Sequence, residues 1–232
     1  MRERENHNGA VAARLAVGLL AFVGVAWAAG ELWLSLAGSS EVDFMRTLAA
    51  ERSAALIDIA RVVTWAGSTW VLTPLALLCA VLLVRAGRRL DALAVALSLG
   101  GAIAIYHAVK ALVARPRPAV EHLQHVTGWS YPSGHSAQAG AFWTSLLLVV
   151  LARTRTRRES GIAIGLTAMI VLAVAWSRVY LGVHYPSDVI AGALLGCGWA
   201  LFTRWALSWE SSPRGAAGVQ QYAEVSEDGG AG

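Results

Sequence analysis

Tyr131-Pro132-Ser133-Gly134-His135 runs directly into a mostly apolar stretch from Ser136 to Ala152. A proline that cannot sit inside a helix, a serine suited to cap one and a glycine that lets backbone come close to a ligand stand just before a helical run. The first-turn N–H groups of such a helix have no acceptor of their own, so its mouth is a ready anion site. His135 adds a group that exchanges a proton near neutral pH. Taken alone, the stretch reads first as an ordinary turn and cap.

The apolar run has five counterparts. Stretches 15–37, 62–84, 92–113, 136–152, 161–177 and 188–207 each approach the ~20 apolar residues that a bilayer core requires, the fourth and fifth falling short. With 56% hydrophobic and 15% charged residues and a mean hydropathy of +0.52, the 232 residues do not describe a soluble domain. The expected fold class is all-α, a polytopic membrane bundle of six transmembrane helices. Residues 1–13 form a polar cytoplasmic tail, 14–209 the membrane domain, and 210–232 a polar, Gly- and Ala-rich disordered tail. Ala26-Trp27-Ala28 imitates a signal-peptidase site, but apolar character resumes at Leu32-Trp33-Leu34, so the first span is read as retained. Residues 39–61 mix charges with Met45, Leu48, Leu56 and Ile59 and fit either an interfacial amphipathic helix or a solvated connector.

Basic residues set the orientation. With a cytoplasmic N-terminus, twelve of the 19 Lys and Arg fall on the cytoplasmic side and seven on the other. This bias places both termini inside. Basic loops facing an anionic inner leaflet account for the net charge of +4 without a nucleic-acid partner. Cys79 and Cys197 both lie in apolar segments, which excludes a disulfide framework and a zinc site. Trp33, Trp65, Trp129, Trp176, Trp205 and Trp209 sit near segment ends as interfacial anchors.

Two further clusters stand at segment ends. Lys110, the one lysine in the chain, lies near the end of the third span and is followed by Ala114-Arg115-Pro116-Arg117-Pro118. An ionisable group within a span is either functional or snorkels to the interface. The prolines hold Arg115 and Arg117 in a stiff segment, where an arginine can grip a phosphate in bidentate fashion. The other cluster is Ser177-Arg178, five residues, then His184-Tyr185-Pro186-Ser187-Asp188. Pro186 opens the sixth span, so Asp188 in its first turn either caps that helix or reaches back to orient His184 as nucleophile or base. In an alternating six-span chain the three clusters share one face, extracytoplasmic by the charge bias. That face gathers Lys110, Arg117 and Arg178 as cations, Ser133 and Gly134 as donors, and His135, His184 and Asp188 as chemistry, a set suited to a phosphoryl group.

Lys110 with Arg117-Pro118, Pro132-Ser133-Gly134-His135, and Ser177-Arg178 with His184 and Asp188 resemble the three signature motifs of the type 2 phosphatidic acid phosphatase (lipid phosphate phosphatase) superfamily, across roughly residues 60–205. The resemblance implies six membrane helices, an active site at the outer surface, and two-step phosphoryl transfer with no metal and no cofactor. His184 is then the nucleophile that forms a phosphohistidine, oriented by Asp188, and His135 the general acid. Lys110, Arg117, Ser133, Gly134 and Arg178 bind phosphate. The implied substrate is a lipid phosphate or diphosphate of the phosphatidate, phosphatidylglycerol phosphate or undecaprenyl diphosphate type. A lipid phosphotransferase using an alcohol acceptor and a non-catalytic lipid-binding protein are the alternatives. Of the other histidines, His107 either lines the pocket or packs, and His122 and His125 are read as solvated loop residues.

Overall fold

The computed structural model describes residues 2–208; the expected tail at 210–232 lies outside the described residues. Every regular element described is helical: α1 (Arg2–Ala50), α2 (Ala54–Val63), a 3-10 turn (Thr64–Gly67), α3 (Thr69–Arg85), α4 (Arg89–Val113), α5 (Gly134–Leu151), α6 (Arg157–Tyr180) and α7 (Pro186–Ser208). Local chemistry sets the boundaries. Ser53, Ser68 and Ser133 cap α2, α3 and α5, and Thr156 with Glu159 forms a reciprocal capping box at α6. Ala114 ends α4 in the left-handed conformation, φ 46°, and releases the chain into the Arg115–Pro118 segment.

Gly9–Leu36 within α1, together with α4, α6 and α7, are long and apolar enough to cross a membrane, and the α2–α3 pair, bent by 41°, makes a fifth candidate. Their outer faces are apolar and open, as at Leu36, Leu172 and Leu194, each more than two-thirds exposed. α5 differs. It has 18 residues, opens on Gly134, His135, Ser136 and Gln138, and buries all but His135 from Gly134 through Phe142. Enclosed by other helices, it needs no lipid-facing surface and so carries polar side chains that a lipid-exposed span would not.

α5 and α7 form the closest pair. A Cβ at Gly192 or Gly196 would strike the backbone carbonyls of Ser133 and Ala137, so only glycine permits this approach. The contact brings the two helix N-termini together, and the Ser133 N–H donates to the Asp188 carbonyl at 2.9 Å. At the far end, Asp91 of α4 accepts from Arg88 at 2.6 Å and from Arg204 of α7 at 2.5 Å.

The N-terminal region departs from the sequence reading. α1 starts at Arg2, so the polar 1–13 stretch is helical from there, and it continues to Ala50 through residues expected to begin a connector. A helix of 49 residues is about 74 Å long, more than twice a bilayer's hydrocarbon core. Its extension is held because Met45 packs against Ala175, Val179, Tyr185 and Val189, and Glu41 is buried. Most of the 39–61 stretch is helical, in the end of α1 and in α2, whose Ala60 packs against Tyr180, Leu181 and Val183.

Candidate active site

The end of α4, the start of α5, the end of α6 and the start of α7 meet at one end of the bundle, closed over by the 114–133 loop. Between them lies a cavity of about 530 Å³ lined by, among others, Lys110, Arg117, Gly134, His135, Arg178 and His184. Six of the eight residues singled out from the sequence therefore share one cavity. Ser133 and Asp188 lie behind the wall, both fully buried. The Ser133 hydroxyl accepts from the Ser136 N–H at 3.4 Å and from the Ser136 hydroxyl at 3.1 Å, which is the capping role rather than a position on the cavity wall.

His184 stands in the short loop between α6 and α7, 3% exposed. Its Nδ1 is 3.4 Å from Asp188 Oδ2 and 3.3 Å from Ser130 Oγ, while Ser130 Oγ donates to the same Asp188 oxygen at 2.5 Å. With Nδ1 facing a carboxylate and a hydroxyl, the proton belongs on Nδ1 and Nε2 carries the lone pair. Nε2 lies 3.4 Å from Arg117 Nη1. Burial pushes the imidazole down to about 3, against the opposing pull of Asp188, so the ring is neutral at neutral pH.

The cations are held by loop carbonyls and amides. Lys110 Nζ donates to the carbonyls of Trp129 at 2.5 Å and Ser130 at 3.1 Å, leaving one of its three donors. Arg117 donates to the carbonyls of Gly128, Val183 and Thr127 at 3.0, 2.7 and 3.0 Å, and burial lowers its pKa. Arg178 is 1% exposed; its Nη1 donates to Thr64 Oγ1 at 2.8 Å and to Gln124 Oε1, while its buried Nε has no hydrogen-bond partner. The first turn of α5 adds uncommitted N–H groups at Gly134 and His135.

Several contributors escaped the sequence reading. Ser130 bridges His184 and Asp188. Thr64 and Gln124 brace Arg178. Of the histidines named from sequence, His107, its ring tilted 33° to that of Tyr106 with centroids 4.4 Å apart, lines the cavity, the first of the two readings given for it, and His125 lines it too while exposed, as expected of a loop residue. His122 is exposed, as expected, and its Nε2 lies 2.9 Å from the Pro118 carbonyl. Arg115, grouped with Arg117 in the sequence reading, is 4% exposed and bonds Asp188, Ser187 and Glu41 rather than lining the cavity. For Ser130, Thr64 and Gln124, no periodicity or neighbour in sequence announces the partner.

The family model of the PAP2 superfamily matches residues 91–212, just over half of the chain. The chain belongs to the PAP2 superfamily. Curated relatives of this PAP2 chain include phosphatidylglycerophosphatase B of Bacillus subtilis, 34% identical over 90 residues, which are 38% of this chain and 44% of that protein. The putative undecaprenyl-diphosphatase YbjG of Escherichia coli is 30% identical over 117 residues, 44% of this chain and 50% of that one. A lipid A 1-phosphatase of Rhizobium johnstonii is 38% identical over 74 residues, 32% and 26% of the two chains. This chain thus spans about half or less of the curated relatives it matches. In structure it resembles a transmembrane PAP2 type phosphatidylglycerolphosphate phosphatase from Bacillus subtilis, with a TM-score of 0.70 and 24% identity over 81% of this chain and 93% of that one. Aquifex aeolicus LpxE follows with a TM-score of 0.54 and 25% identity, over 69% and 92%. With its apolar helices, this PAP2 chain is an integral membrane protein.

Proposed function

We propose that the chain is a membrane phosphatase that removes phosphate from a lipid phosphate or diphosphate by way of a phosphohistidine on His184. The observation that carries this reading is the His184 ring itself, with Nδ1 backed by Ser130 and Asp188 and Nε2 at the cavity wall beside Arg117. In the first step Nε2 attacks phosphorus, a P–N bond forms as the ester P–O bond breaks, and the departing oxygen takes a proton from His135. In the second, water attacks phosphorus, His135 takes the water's proton, and the P–N bond breaks to release phosphate and restore His184. Lys110, Arg117, Arg178 and the α5 amides stabilise the charge on the equatorial phosphoryl oxygens. Asp188 balances the charge that His184 gains when its Nε2 bonds to phosphorus.

The names of the relatives support a lipid substrate and a hydrolytic outcome. Among the described residues no group of three or more His, Cys, Asp or Glu is placed to hold a metal ion, and side-chain cations serve the phosphoryl group instead. In the membrane, α5 acts as the sixth span, enclosed by the others, with both termini cytoplasmic and the cavity opening on the extracytoplasmic side.

The test is phosphate release by purified protein from a panel of lipid monophosphates and diphosphates, with and without EDTA, and with glycerol or inositol present. Release that survives EDTA without phosphorylated acceptor supports the proposal; phosphorylated glycerol or inositol in place of free phosphate would make the chain a transferase, and loss on chelation would overturn the metal-independent route. Sealed right-side-out vesicles given an impermeant phosphate ester test the orientation, since turnover only after lysis would put the cavity on the other side.

A further inference from the structure

Behind His184, on the side away from the cavity, lies a second layer of charge that the residues of the three motifs do not include. Arg115 Nη1 donates to Asp188 Oδ1 at 2.7 Å and to Ser187 Oγ at 2.7 Å, and Nη2 donates to Glu41 Oε2 at 2.8 Å. Glu41 in turn accepts from the Ser187 N–H at 2.8 Å, the Ser187 hydroxyl at 2.8 Å and the Trp33 indole N–H at 2.9 Å. The Arg115 guanidinium also lies 3.9 Å from the centre of the Tyr185 ring. The side chains of Arg115, Glu41 and Asp188 are 4%, 8% and 0% exposed, so their charges are settled among themselves rather than by water. Glu41 belongs to the extension of α1 beyond its Gly9–Leu36 span and lies outside the residues that the family model matches.

The charge count gives this layer a task. Arg115 alone would neutralise Asp188 and leave His184 without a net negative neighbour at its back. With Glu41 on the opposite arm of the guanidinium, the group of Asp188, Arg115 and Glu41 carries one net negative charge. Burial raises the Glu41 pKa, but its bonds from Arg115, Ser187 and Trp33 outweigh that and hold it below the usual carboxylate range. On the Arg115 side, burial lowers the pKa while Asp188 and Glu41 more than reverse it. Both partners are therefore ionised. A neutral histidine that becomes positively charged on phosphorylation is stabilised more by a net negative charge behind it than by an Asp188–Arg115 pair of zero net charge, in which the guanidinium offsets part of the pull of the nearer carboxylate.

The geometry points to Glu41 as a positioning residue that offsets Arg115, so that Asp188 keeps its negative charge for His184 while the N-terminal helix is tied to the site. This rests on the proposed role of His184. It predicts an effect on the chemical step and none on phosphate binding, because Glu41, Arg115 and Ser187 are absent from the cavity wall.

The experiment uses full-length protein in detergent and measures kcat and KM on a lipid monophosphate together with inhibition by inorganic phosphate, for Glu41→Gln, the double variant Glu41→Gln/Arg115→Gln, and His184→Ala. Glu41→Gln removes the charge and keeps the shape; kcat is expected to fall at least tenfold with KM and the phosphate inhibition constant within about twofold of wild type. The double variant restores the count of one negative charge and is expected to regain most of the lost kcat, a rescue that a merely structural contact would not give. Should Glu41→Gln fail to fold, the double variant decides alone: kcat within about threefold of wild type supports the offset, and a deeper loss overturns it. Wild-type kcat in Glu41→Gln, or losses that simply add in the double variant, also overturn it. His184→Ala separates the two readings. If it is inactive while Glu41→Gln is normal, only this inference falls; if it retains activity, the phosphohistidine proposal falls first.

Discussion

Replacing Ser130 by alanine isolates the bridge between His184 and Asp188. The hydroxyl is fully buried, sits 2.5 Å from Asp188 Oδ2 and 3.3 Å from His184 Nδ1, and is absent from the cavity wall. Without it, Asp188 Oδ2 keeps the Tyr185 N–H at 2.9 Å, and His184 Nδ1 keeps only its 3.4 Å approach to the same oxygen. A hydrogen bond to a charged group contributes about 1.5–3 kcal/mol. At about 1.4 kcal/mol per decade of rate, losing it while the imidazole gains charge should lower kcat about 10- to 100-fold. KM should hardly move. The matched control is Ser133→Ala, a neighbouring buried serine whose hydroxyl caps α5; it should cost about 1 kcal/mol of stability and far less of kcat. The assay is the pre-steady-state burst of nitrophenol from para-nitrophenyl phosphate, with thermal unfolding measured beside it. A burst at the wild-type rate in folded Ser130→Ala, or an equal loss in Ser133→Ala, would refute the assignment of Ser130 to the nucleophile.

Three further outcomes are expected. His135→Ala should lose about 10²- to 10⁴-fold on a lipid monophosphate, whose alkoxide needs a proton, yet recover much of its burst rate on para-nitrophenyl phosphate, while His184→Ala stays inactive on both; the reverse pattern would exchange their roles. Arg178→Lys cannot keep Thr64 and Gln124 and also present a planar fork, so kcat/KM should fall about 10²-fold, and full activity with normal expression would reduce Arg178 to a helix-end residue. Because the folded pKa of His184 is about 3 against an ordinary 6.5, the unfolded chain binds the extra proton in between, and stability must fall as pH drops from 6.5 towards 3. Unfolding temperatures between pH 6.5 and 5, above the range where Glu41 loses its charge, should show that slope reduced in His184→Gln, and an unchanged slope would contradict a buried neutral ring.

The parts of the site that sequence exposes are those whose cost is local. Lys110 in a span, His135 after a proline and a cap, and Asp188 in a first turn are each conspicuous against an apolar background, and alternation of spans then puts them on one face. Partners contributed from a distance carry no such contrast. Ser130 and Asp188 are 58 positions apart, Arg115 and Glu41 74, Arg178 and Thr64 114, and each looks ordinary beside its own neighbours. Ser133 was legible as a cap, but nothing in its motif says that the capping residue is buried off the cavity wall.

The N-terminal helix shows why the fold was partly hidden for the same reason. Glu41, Asp43 and Arg46 lie in the stretch that fits either an interfacial helix or a solvated connector, and both readings put their charges in water. Asp43 and Arg46 do lie in solvent and pair with each other at 3.2 Å, side chains 76% and 65% exposed. Glu41 does not, since Arg115 and Ser187 supply the partners that make its burial tolerable, and Met45 one turn further on seals against α6 and α7. In the proposed mechanism the cations named by the motifs grip the phosphate. What leaves His184 facing net negative charge is a carboxylate delivered by a helix that begins more than a hundred residues earlier, so the reach of α1 beyond its span belongs to the chemistry as much as to the anchor.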